Sequence, residues 1–452
     1  MACFTIIGAG PVGALMGLLL ARRGHRARLF ERREDPRQAP AQHGRSINLA
    51  LSARGIVALA QADVLERLRS SMISMPGRML HDEQRRLEFM RYGQNELEVN
   101  YAVSRGQLNR LLIDAAAEHP ALELHFNRRC IDIDPRSGLL QLRDDRTGRT
   151  YIESTEILLG ADGAGSTVRK ALLDRGVSRV EEVPLAHDYK ELTIPAAAPA
   201  VGSHGYVFEP HALHIWPRGG FMLIALPNTD RSFTSTLFLA REGDNSFARL
   251  RSAADVRQFF RRHFVDAAAA IPDITEQFEH HPQSRLGTIY CEGWHAAGRV
   301  LLLGDSAHAI VPFHGQGLNC GFEDCVVLDR MLAQNTDTLE VFAAFERERR
   351  PNAVALAAMA LENYVEMRDD VRSPQFALRK ALAAELERQF PGRFIPRYSM
   401  VTFHPEISYV EAQRRGAQQE LVLDRLSSRF PALALSKDAL TLARQSLDQA
   451  GL

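Results

Sequence analysis

Three short apolar runs in the chain, at residues 4–7, 157–159 and 300–303, each end at a glycine and lead into a helical pattern. Runs of this kind are typical of strands that are buried on both faces of a parallel sheet. A further run, at residues 27–30, follows the first helical segment. Strands that alternate with helices in this order predict an α/β domain with a doubly wound, Rossmann-like sheet.

The pattern changes after residue 189. Strand-like segments at 189–195, 212–216, 221–226 and 233–239 are separated by turn-forming residues such as Pro217 to Gly220. Short strands joined by such turns predict an antiparallel sheet. Helical patterns are predicted elsewhere, among them segments at residues 54–68, 107–118, 253–264, 339–360, 361–368 and 374–390.

A chain of 452 residues is too long for one compact core, so several domains are expected. We expect a sequence-discontinuous first domain at residues 1–70, 100–180 and 285–340, a β-sheet domain at residues 71–99 and 181–284, and a C-terminal helical region at residues 341–452.

The composition does not favour a charged macromolecular partner. The formal net charge is +0, which offers no overall attraction for nucleic acid or an anionic membrane. Five cysteines without a C-x-x-C pair argue against a disulfide framework or a zinc site, and they fit a reducing cytoplasm. No run reaches the roughly 18 apolar residues needed to span a bilayer. We therefore expect a soluble, cytoplasmic protein without a membrane anchor, while the sequence leaves the oligomeric state open.

The first strand leads into a G-x-G-x-x-G pattern in its required context. Gly8 makes the turn, Gly10 leaves space for a pyrophosphate, and Gly13 lets the next helix pack closely on the strand. Glu31 ends the second strand, about 20 residues further on, where an acidic side chain accepts hydrogen bonds from a ribose. This unit predicts a site for an adenine dinucleotide, either FAD or NAD.

Residues 298–325, with the sequence GRVLLLGDSAHAIVPFHGQGLNCGFEDC, combine a buried strand, a Gly-Asp turn and a glycine-rich entry to a helix. Such an entry exposes free backbone N–H groups and the positive end of the helix dipole. The stretch resembles the second FAD-binding motif of the flavoprotein aromatic hydroxylases, the single-component monooxygenases. The resemblance favours FAD. It implies that Asp305 holds the ribityl chain and that the backbone of Gly317, Leu318 and Asn319 faces the flavin pyrimidine ring.

Other parts of the chain resemble the same family. GADGAGSTVR, at residues 160–169, is similar to its DG motif, which implies that Asp162 lies beside the pyrophosphate. Capping of a helix without ligand contact is the alternative for this residue. The resemblance also implies FAD contacts for Arg32, Arg45 and Arg105, although Arg45 is equally consistent with a surface residue. It further implies transient binding of NADPH without a second dinucleotide fold.

A narrower resemblance, to the kynurenine 3-monooxygenases within that family, extends over most of the chain. Matching strings include RSINLALSARG (45–55), PGRMLHD (76–82), YKELTIP (189–195), ENYVEMRD (362–369) and RYSMVTF (397–403). In that group an Arg, two Tyr and an Asn bind the carboxylate of an amino acid substrate. The matching residues in this sequence are Arg78, Tyr92, Asn363 and Tyr398. Arg is suited to bidentate carboxylate binding, and a Tyr hydroxyl adds a directional donor.

The resemblance implies hydroxylation of L-kynurenine at ring position 3, with NADPH as reductant and O2 activated as a flavin C4a-hydroperoxide. It also implies that the β-sheet domain binds the substrate and that the C-terminal helices close the active site. The alternatives are a hydroxylase of another aminoaryl or phenolic acid and a non-catalytic FAD-binding sensor. We expect Phe313 and His314 over the flavin in a shape or gating role. No catalytic base is assigned, because the amino group of the substrate already activates its ring; a base role for His314 is the less favoured alternative.

Overall fold

The computed structural model describes residues 2–38, 48–197, 205–369, 373–429 and 437–452. The chain forms two compact units. The first unit contains Met1–Met72, Ala102–Ala186 and Arg285–Ala357, and the second contains Ile73–Tyr101, His187–Ser284 and Ala358–Leu452.

A six-stranded, mainly parallel sheet forms the core of the first unit and confirms the predicted α/β class. Apolar side chains such as Phe4, Leu29, Leu158 and Leu301 are at most 1% exposed, as expected for parallel strands that are covered on both faces. Among the described pairs of this sheet, only the two-residue edge strand runs antiparallel to its neighbour. In sheet order the strands are His295–Ala296, Val300–Leu302, Ile157–Gly160, Cys3–Ile7, Arg26–Glu31 and Leu122–Phe126.

The first unit also contains a three-stranded antiparallel sheet and the helices that follow its strands. The small sheet is formed by Arg128–Asp134, Leu139–Asp144 and Thr150–Ser154. The α-helices are Pro11–Arg22, Ala53–Gln61, Leu65–Leu68, Arg105–Glu118, Thr167–Asp174, Asp305–His308 and Gly317–Gln334, and Arg69–Ser71 and Pro312–His314 form 3-10 turns. Further short strands along the chain are Asn48–Leu51, Ile73–Met75 and Asn100–Ser104.

Two helical predictions were wrong in their boundaries. The helix predicted at residues 54–68 ends at Gln61, because Asp63 adopts a left-handed backbone with φ of 62°. That conformation stops an α-helix, and Asp tolerates it better than most residues. The segments predicted separately at residues 339–360 and 361–368 form one helix, Thr338–Arg368, with Pro351 inside it.

A seven-stranded sheet forms the core of the second unit. Its described pairs run antiparallel, except that Leu213–Pro217 and Gly77–His81 pair in parallel. The predicted antiparallel sheet is therefore confirmed, with one parallel pair added. In sheet order the strands are Gln283–Glu292, Arg179–Ile194, Phe233–Ala240, Met222–Pro227, Leu213–Pro217, Gly77–His81 and Leu87–Arg91.

One face of this sheet carries an aromatic core. Trp216, Phe233 and Phe260 are fully buried there, and the helices Ala253–His263, Val265–Ala270 and Ile274–His280 contribute to the same core. His81 stacks on Trp216, with ring centroids 4.0 Å apart. Because alternate residues of a strand point to opposite faces, Arg78 lies on the other face of the sheet from His81.

The second unit ends in four further helices: Pro374–Gln389, Arg397–Phe403, Tyr409–Arg429 and Lys437–Ala450. Three of them share a smaller core that includes Leu386, Leu426 and Leu447. Across the described part of the chain, no helix combines the length and the apolar content that crossing a bilayer requires.

Candidate functional site

The turn after the first strand is shaped by glycines at two close approaches of backbone. Gly8 has a φ of +97°, and a Cβ atom there would lie 2.5 Å from the carbonyl oxygen of Ala161. A Cβ on Gly13 would lie 2.0 Å from the carbonyl oxygen of Gly8. Gly10, in contrast, faces open space. The turn therefore needs glycine for its own packing at two positions and leaves the third free for a ligand to approach, as a pyrophosphate does in dinucleotide-binding folds.

The carboxylate of Glu31 is held against this turn. One oxygen accepts a hydrogen bond from the Ala9 backbone N–H at 3.0 Å, and the other accepts from the Arg33 N–H at 3.0 Å. Carboxylate oxygens retain further acceptor capacity after such bonds. Glu31 is thus positioned next to the space above Gly10 and suits the hydroxyls of a ribose. Arg32 follows it as an exposed side chain.

The second motif brings a carboxylate to the open start of a helix. A Cβ built on Gly317 would lie 4.0 Å from Oδ1 of Asp305, so the exposed Asp305 carboxylate is beside the first residue of the helix Gly317–Gln334. Within the described residues, no side chain caps this helix start at Gln316. The free N–H groups and the helix dipole therefore make a site for negative charge.

A buried ionic cluster is hydrogen-bonded to the Gly304-Asp305 turn that precedes this helix. The Asp324 carboxylate accepts from the Gly304 N–H at 3.0 Å and from Nε of Arg349 at 2.7 Å, and it contacts Nε2 of His308 at 2.6 Å. Burial alone lowers the pKa of His308, but the charge of Asp324 outweighs it and raises that pKa overall. Despite the opposing effect of burial, the pKa of Asp324 is lowered by His308 and Arg349.

The ligand atoms of His308, Cys320 and Asp324 lie within 4.8 Å of one another, a spacing that a metal ion tolerates. However, both oxygens of Asp324 are already hydrogen-bonded, and Nη2 of Arg349 lies 3.4 Å from Sγ of Cys320. A guanidinium at this distance opposes a second cation. We therefore assign the cluster to holding the Gly304 turn against its helix and not to metal binding.

The second unit contains a separate polar cluster around Arg78, which is 6% exposed. The rings of Tyr92 and Tyr398 stack with centroids 5.3 Å apart. The guanidinium carbon of Arg78 lies 5.7 Å and 5.4 Å from these two centroids. Nη1 of Arg78 is buried and has no hydrogen-bond partner among the described residues. A buried donor of this kind is unusual and indicates a site for an acceptor.

Asn100 and Glu366 contact this cluster, and Asn363 lies three residues before Glu366 on the same helix. Nδ2 of Asn100 donates to the Tyr398 hydroxyl at 3.1 Å. Asn363 is buried, and its Nδ2 lies 3.3 Å from Sδ of Met367. Glu366 brings Oε1 to 3.8 Å from Nη1 of Arg78. The structure therefore brings together Arg78, Tyr92 and Tyr398, three of the four residues that the sequence proposes for carboxylate binding.

Comparison with known proteins places this architecture in a family. A family model described as an FAD binding domain matches residues 2–360. A kynurenine 3-monooxygenase from Myxococcus xanthus (strain DK1622) is 46% identical over 427 residues, which cover 94% of this chain and 91% of that protein. The chain belongs to the kynurenine 3-monooxygenase family of FAD-dependent aromatic hydroxylases.

Two further comparisons agree with this family. A kynurenine 3-monooxygenase from Stenotrophomonas maltophilia (strain K279a) is 46% identical over 93% of this chain and 91% of its own length. Among solved structures, the tetrameric form of 2-methyl-3-hydroxypyridine-5-carboxylic acid oxygenase superposes with a TM-score of 0.66 at 18% identity, over 86% of this chain and 98% of that one. This likeness confirms the aromatic hydroxylase fold.

Asp162 and Asn319, two residues that the family resemblance links to FAD, have evident structural roles. Asp162 accepts from the Ser166 hydroxyl at 2.5 Å and the Thr167 N–H at 2.7 Å, so it orders the start of the helix Thr167–Asp174. This is the capping role considered as the alternative. The Asn319 side chain accepts from the Ser52 N–H and donates to two backbone carbonyls, each at 2.9 Å. Any flavin contact of Asn319 is therefore left to its backbone.

The remaining predicted residues are placed as follows. Arg105 is an exposed first residue of the helix Arg105–Glu118. Phe313 and His314 are buried in the 3-10 turn that ends at Gly315, whose φ is 69°. Leu318 is half-buried on the helix that follows. Arg45 lies outside the described residues.

Sequence reasoning missed several residues of these sites, chiefly Asn100, Asp324, Arg349 and Glu366. Asp324 gives little signal, because Glu323, Asp329 and Arg330 are also charged residues of the same helix pattern. Asn100 and Glu366 have none, since polar residues at a strand start and near a helix end are ordinary on a protein surface.

Proposed function

We propose that this protein is an NADPH-dependent monooxygenase that hydroxylates L-kynurenine at ring position 3 and forms 3-hydroxy-L-kynurenine. FAD is assigned to the first unit, and the amino acid group of the substrate to the second. The names of relatives that match 94% and 93% of the chain support this substrate. The single observation that carries the assignment is the buried guanidinium of Arg78, whose Nη1 lacks a hydrogen-bond partner among the described residues.

A substrate carboxylate would satisfy the buried guanidinium. A buried charge with unused donors is costly, and the cost is removed when an anion accepts from it. Arg offers two parallel N–H donors in the spacing of a carboxylate. L-Kynurenine carries such a carboxylate on its amino acid side chain.

The two stacked phenols extend the carboxylate site. Burial raises the pKa of Tyr92 and the pKa of Tyr398, although the Arg78 charge acts in the opposite direction. Both phenols therefore keep their protons at neutral pH and can donate to an anion. The Asn100 amide donates to the Tyr398 oxygen at 3.1 Å, so this phenol oxygen acts as an acceptor within the protein and keeps its own proton as a donor.

Residues of the first unit fit FAD part by part. The space above Gly10 admits the pyrophosphate, and Glu31 suits the ribose. Asp305 would hold the ribityl hydroxyls, and the helix start at Gly317 would stabilise negative charge on the flavin pyrimidine. When bound, FAD supplies the redox chemistry: it accepts electrons from NADPH and activates O2 for transfer of one oxygen atom.

The substrate itself supplies the activation of its ring. The aromatic amine of L-kynurenine donates electron density to position 3, which is adjacent to it, so no protein base is required there. L-Kynurenine, NADPH, a proton and O2 give 3-hydroxy-L-kynurenine, NADP and water. We assign Phe313 and His314 to shaping the site and excluding water, in keeping with their burial in the turn before the helix.

Anaerobic stopped-flow mixing tests this function. FAD-loaded protein is mixed with NADPH, with and without L-kynurenine, and flavin reduction is followed by the loss of its visible absorbance. The expected result is that L-kynurenine greatly accelerates reduction, whereas benzoate, which has a ring and a carboxylate but no amino acid group, does not. Equal rates with and without L-kynurenine would remove the assignment. A parallel mix with NADH measures the preference for NADPH.

A further inference from the structure

Glu366 is an ionised side chain beside the proposed carboxylate site that the function described so far does not use. It lies on the helix Thr338–Arg368, three residues after Asn363. Residues at this spacing share one face of a helix. Asn363 therefore lies on the same helix face as Glu366, whose side chain remains 22% exposed.

Two cations hold the Glu366 carboxylate in place. Oε1 lies 3.2 Å from Nζ of Lys380 and 3.8 Å from Nη1 of Arg78. Burial raises the pKa of Glu366, but Lys380 and Arg78 outweigh this effect and lower it overall. The group is thus a carboxylate at neutral pH. Its distance from Arg78 is longer than a hydrogen bond, so Glu366 does not use the donors that the substrate carboxylate needs.

The pairing of charges at this point matches an α-amino acid. Such a molecule carries its ammonium and its carboxylate on the same carbon atom, so a site that binds both groups needs an anion next to a cation. Arg78 and Glu366 meet that requirement with Nη1 and Oε1 3.8 Å apart. We propose that Glu366 binds the α-ammonium group of the substrate and thereby selects α-amino acids over simple aroyl carboxylates. This assignment rests on the function proposed above.

The test compares L-kynurenine with 4-(2-aminophenyl)-4-oxobutanoate, which has the same ring, ketone and carboxylate but no α-amino group. Each ligand is titrated into FAD-loaded wild-type protein and the Glu366→Gln variant, and binding is read from the change in flavin absorbance. The substitution is expected to weaken L-kynurenine binding about 10- to 100-fold, as for loss of a hydrogen bond between charged groups. Binding of the des-amino analogue should change by less than about twofold.

Two further variants separate recognition from a general effect on the fold. Glu362→Gln makes the same change in charge on the same helix, but Glu362 is 49% exposed and pairs with Arg397. It should leave both affinities unchanged, because exposed ion pairs contribute little. Glu366→Asp retains the charge and should restore part of the preference for L-kynurenine. Flavin content and thermal unfolding are measured for every variant.

The outcomes are distinct. Equal losses for both ligands in Glu366→Gln would make Glu366 a structural support of Arg78 and overturn the proposal. Tighter binding of both ligands by Glu366→Gln would show that Glu366 is a counter-ion of Arg78 that competes with the substrate carboxylate, and this result would also overturn the proposal. If wild-type protein bound neither ligand, the proposed function itself would fail and this proposal with it. If wild-type protein bound the des-amino analogue more tightly than L-kynurenine, ammonium recognition by Glu366 would be refuted, while the proposed carboxylate site would stand.

Discussion

The rings of Tyr92 and Tyr398 stack at an interplanar angle of 15°, although one residue follows an edge strand and the other lies on a helix near the end of the chain. The Arg78 guanidinium lies within 6 Å of both ring centroids, a range in which cation–π attraction operates. The stack therefore limits where the guanidinium can lie, so the site that we propose for the carboxylate is formed before a ligand arrives.

Replacing Arg78 tests the carboxylate site. Arg78→Ala is expected to raise the KM for L-kynurenine by the equivalent of about 2–4 kcal/mol, a factor of roughly 30 to 1,000, because charge-assisted hydrogen bonds are lost. Steady-state oxidation of NADPH over a range of L-kynurenine concentrations measures the change. Arg86→Ala is the matched control, since Arg86 lies on the same stretch of chain with an exposed side chain. An unchanged KM in Arg78→Ala would show that the carboxylate binds elsewhere.

The hydrogen bond from Asn100 to Tyr398 predicts that the two residues act as one unit. Asn100→Leu and Tyr398→Phe should each weaken L-kynurenine binding, by about 1 kcal/mol for the amide and about 1.5–3 kcal/mol for the phenol. The double variant should bind no more weakly than Tyr398→Phe alone, which gives a coupling energy of about 1 kcal/mol. Titration of flavin absorbance measures the four affinities. Additive losses would contradict a role for Asn100 that acts through Tyr398.

Local patterns in the sequence were sufficient to predict the parallel strands, the turns at Gly8 to Gly13 and at Gly304-Asp305, and the class of fold. The turn at Gly8 to Gly13 can be predicted because its glycines recur at a fixed local spacing between a strand and a helix, although the close contact that requires Gly8 is with the distant Ala161. The roles of Asn100 and Glu366 could not be predicted, since each depends on a partner far away in sequence. Similarly, the side chain of Asn319 holds a loop near Ser52, and nothing local to residue 319 indicates that contact.

The buried cluster beneath the Gly304 turn predicts a loss of both stability and FAD binding. Asp324→Asn keeps the shape of the side chain but leaves His308 and Arg349 without their shared anion, which should cost about 3–5 kcal/mol of unfolding free energy. FAD affinity should fall as well, because Asp324 holds the Gly304 N–H next to Asp305. Denaturant unfolding and FAD titration measure the two effects.

Asp329→Asn provides the control for this variant. Asp329 is a buried acid on the same helix, paired with Arg23 and Gln61, and none of its bonds among the described residues reaches the Gly304 turn. This variant should lose stability without losing FAD affinity. If Asp324→Asn behaved in the same way, the cluster would support the fold only.

The raised pKa of His308 predicts a particular dependence of stability on pH. A group whose pKa is higher in the folded protein stabilises it fully below the unfolded value, which is 6.5 for His, and this contribution is lost as the pH rises through the folded value. The stability advantage of wild-type protein over His308→Gln should therefore be largest below pH 6.5 and decline above it. Urea unfolding of both proteins over a pH series at fixed FAD concentration checks this. An advantage that grew as the pH rose would mean that His308 is buried as the neutral ring.

Identification of the product is the most direct test of the central claim. FAD-loaded protein is incubated with L-kynurenine, NADPH and O2, and the product is analysed by mass spectrometry and by NMR of its ring protons. The account predicts one added oxygen atom at ring position 3, formed in proportion to NADPH consumed and abolished in Arg78→Ala at low substrate concentration. NADPH oxidation that yields only hydrogen peroxide, with L-kynurenine recovered unchanged, would contradict it.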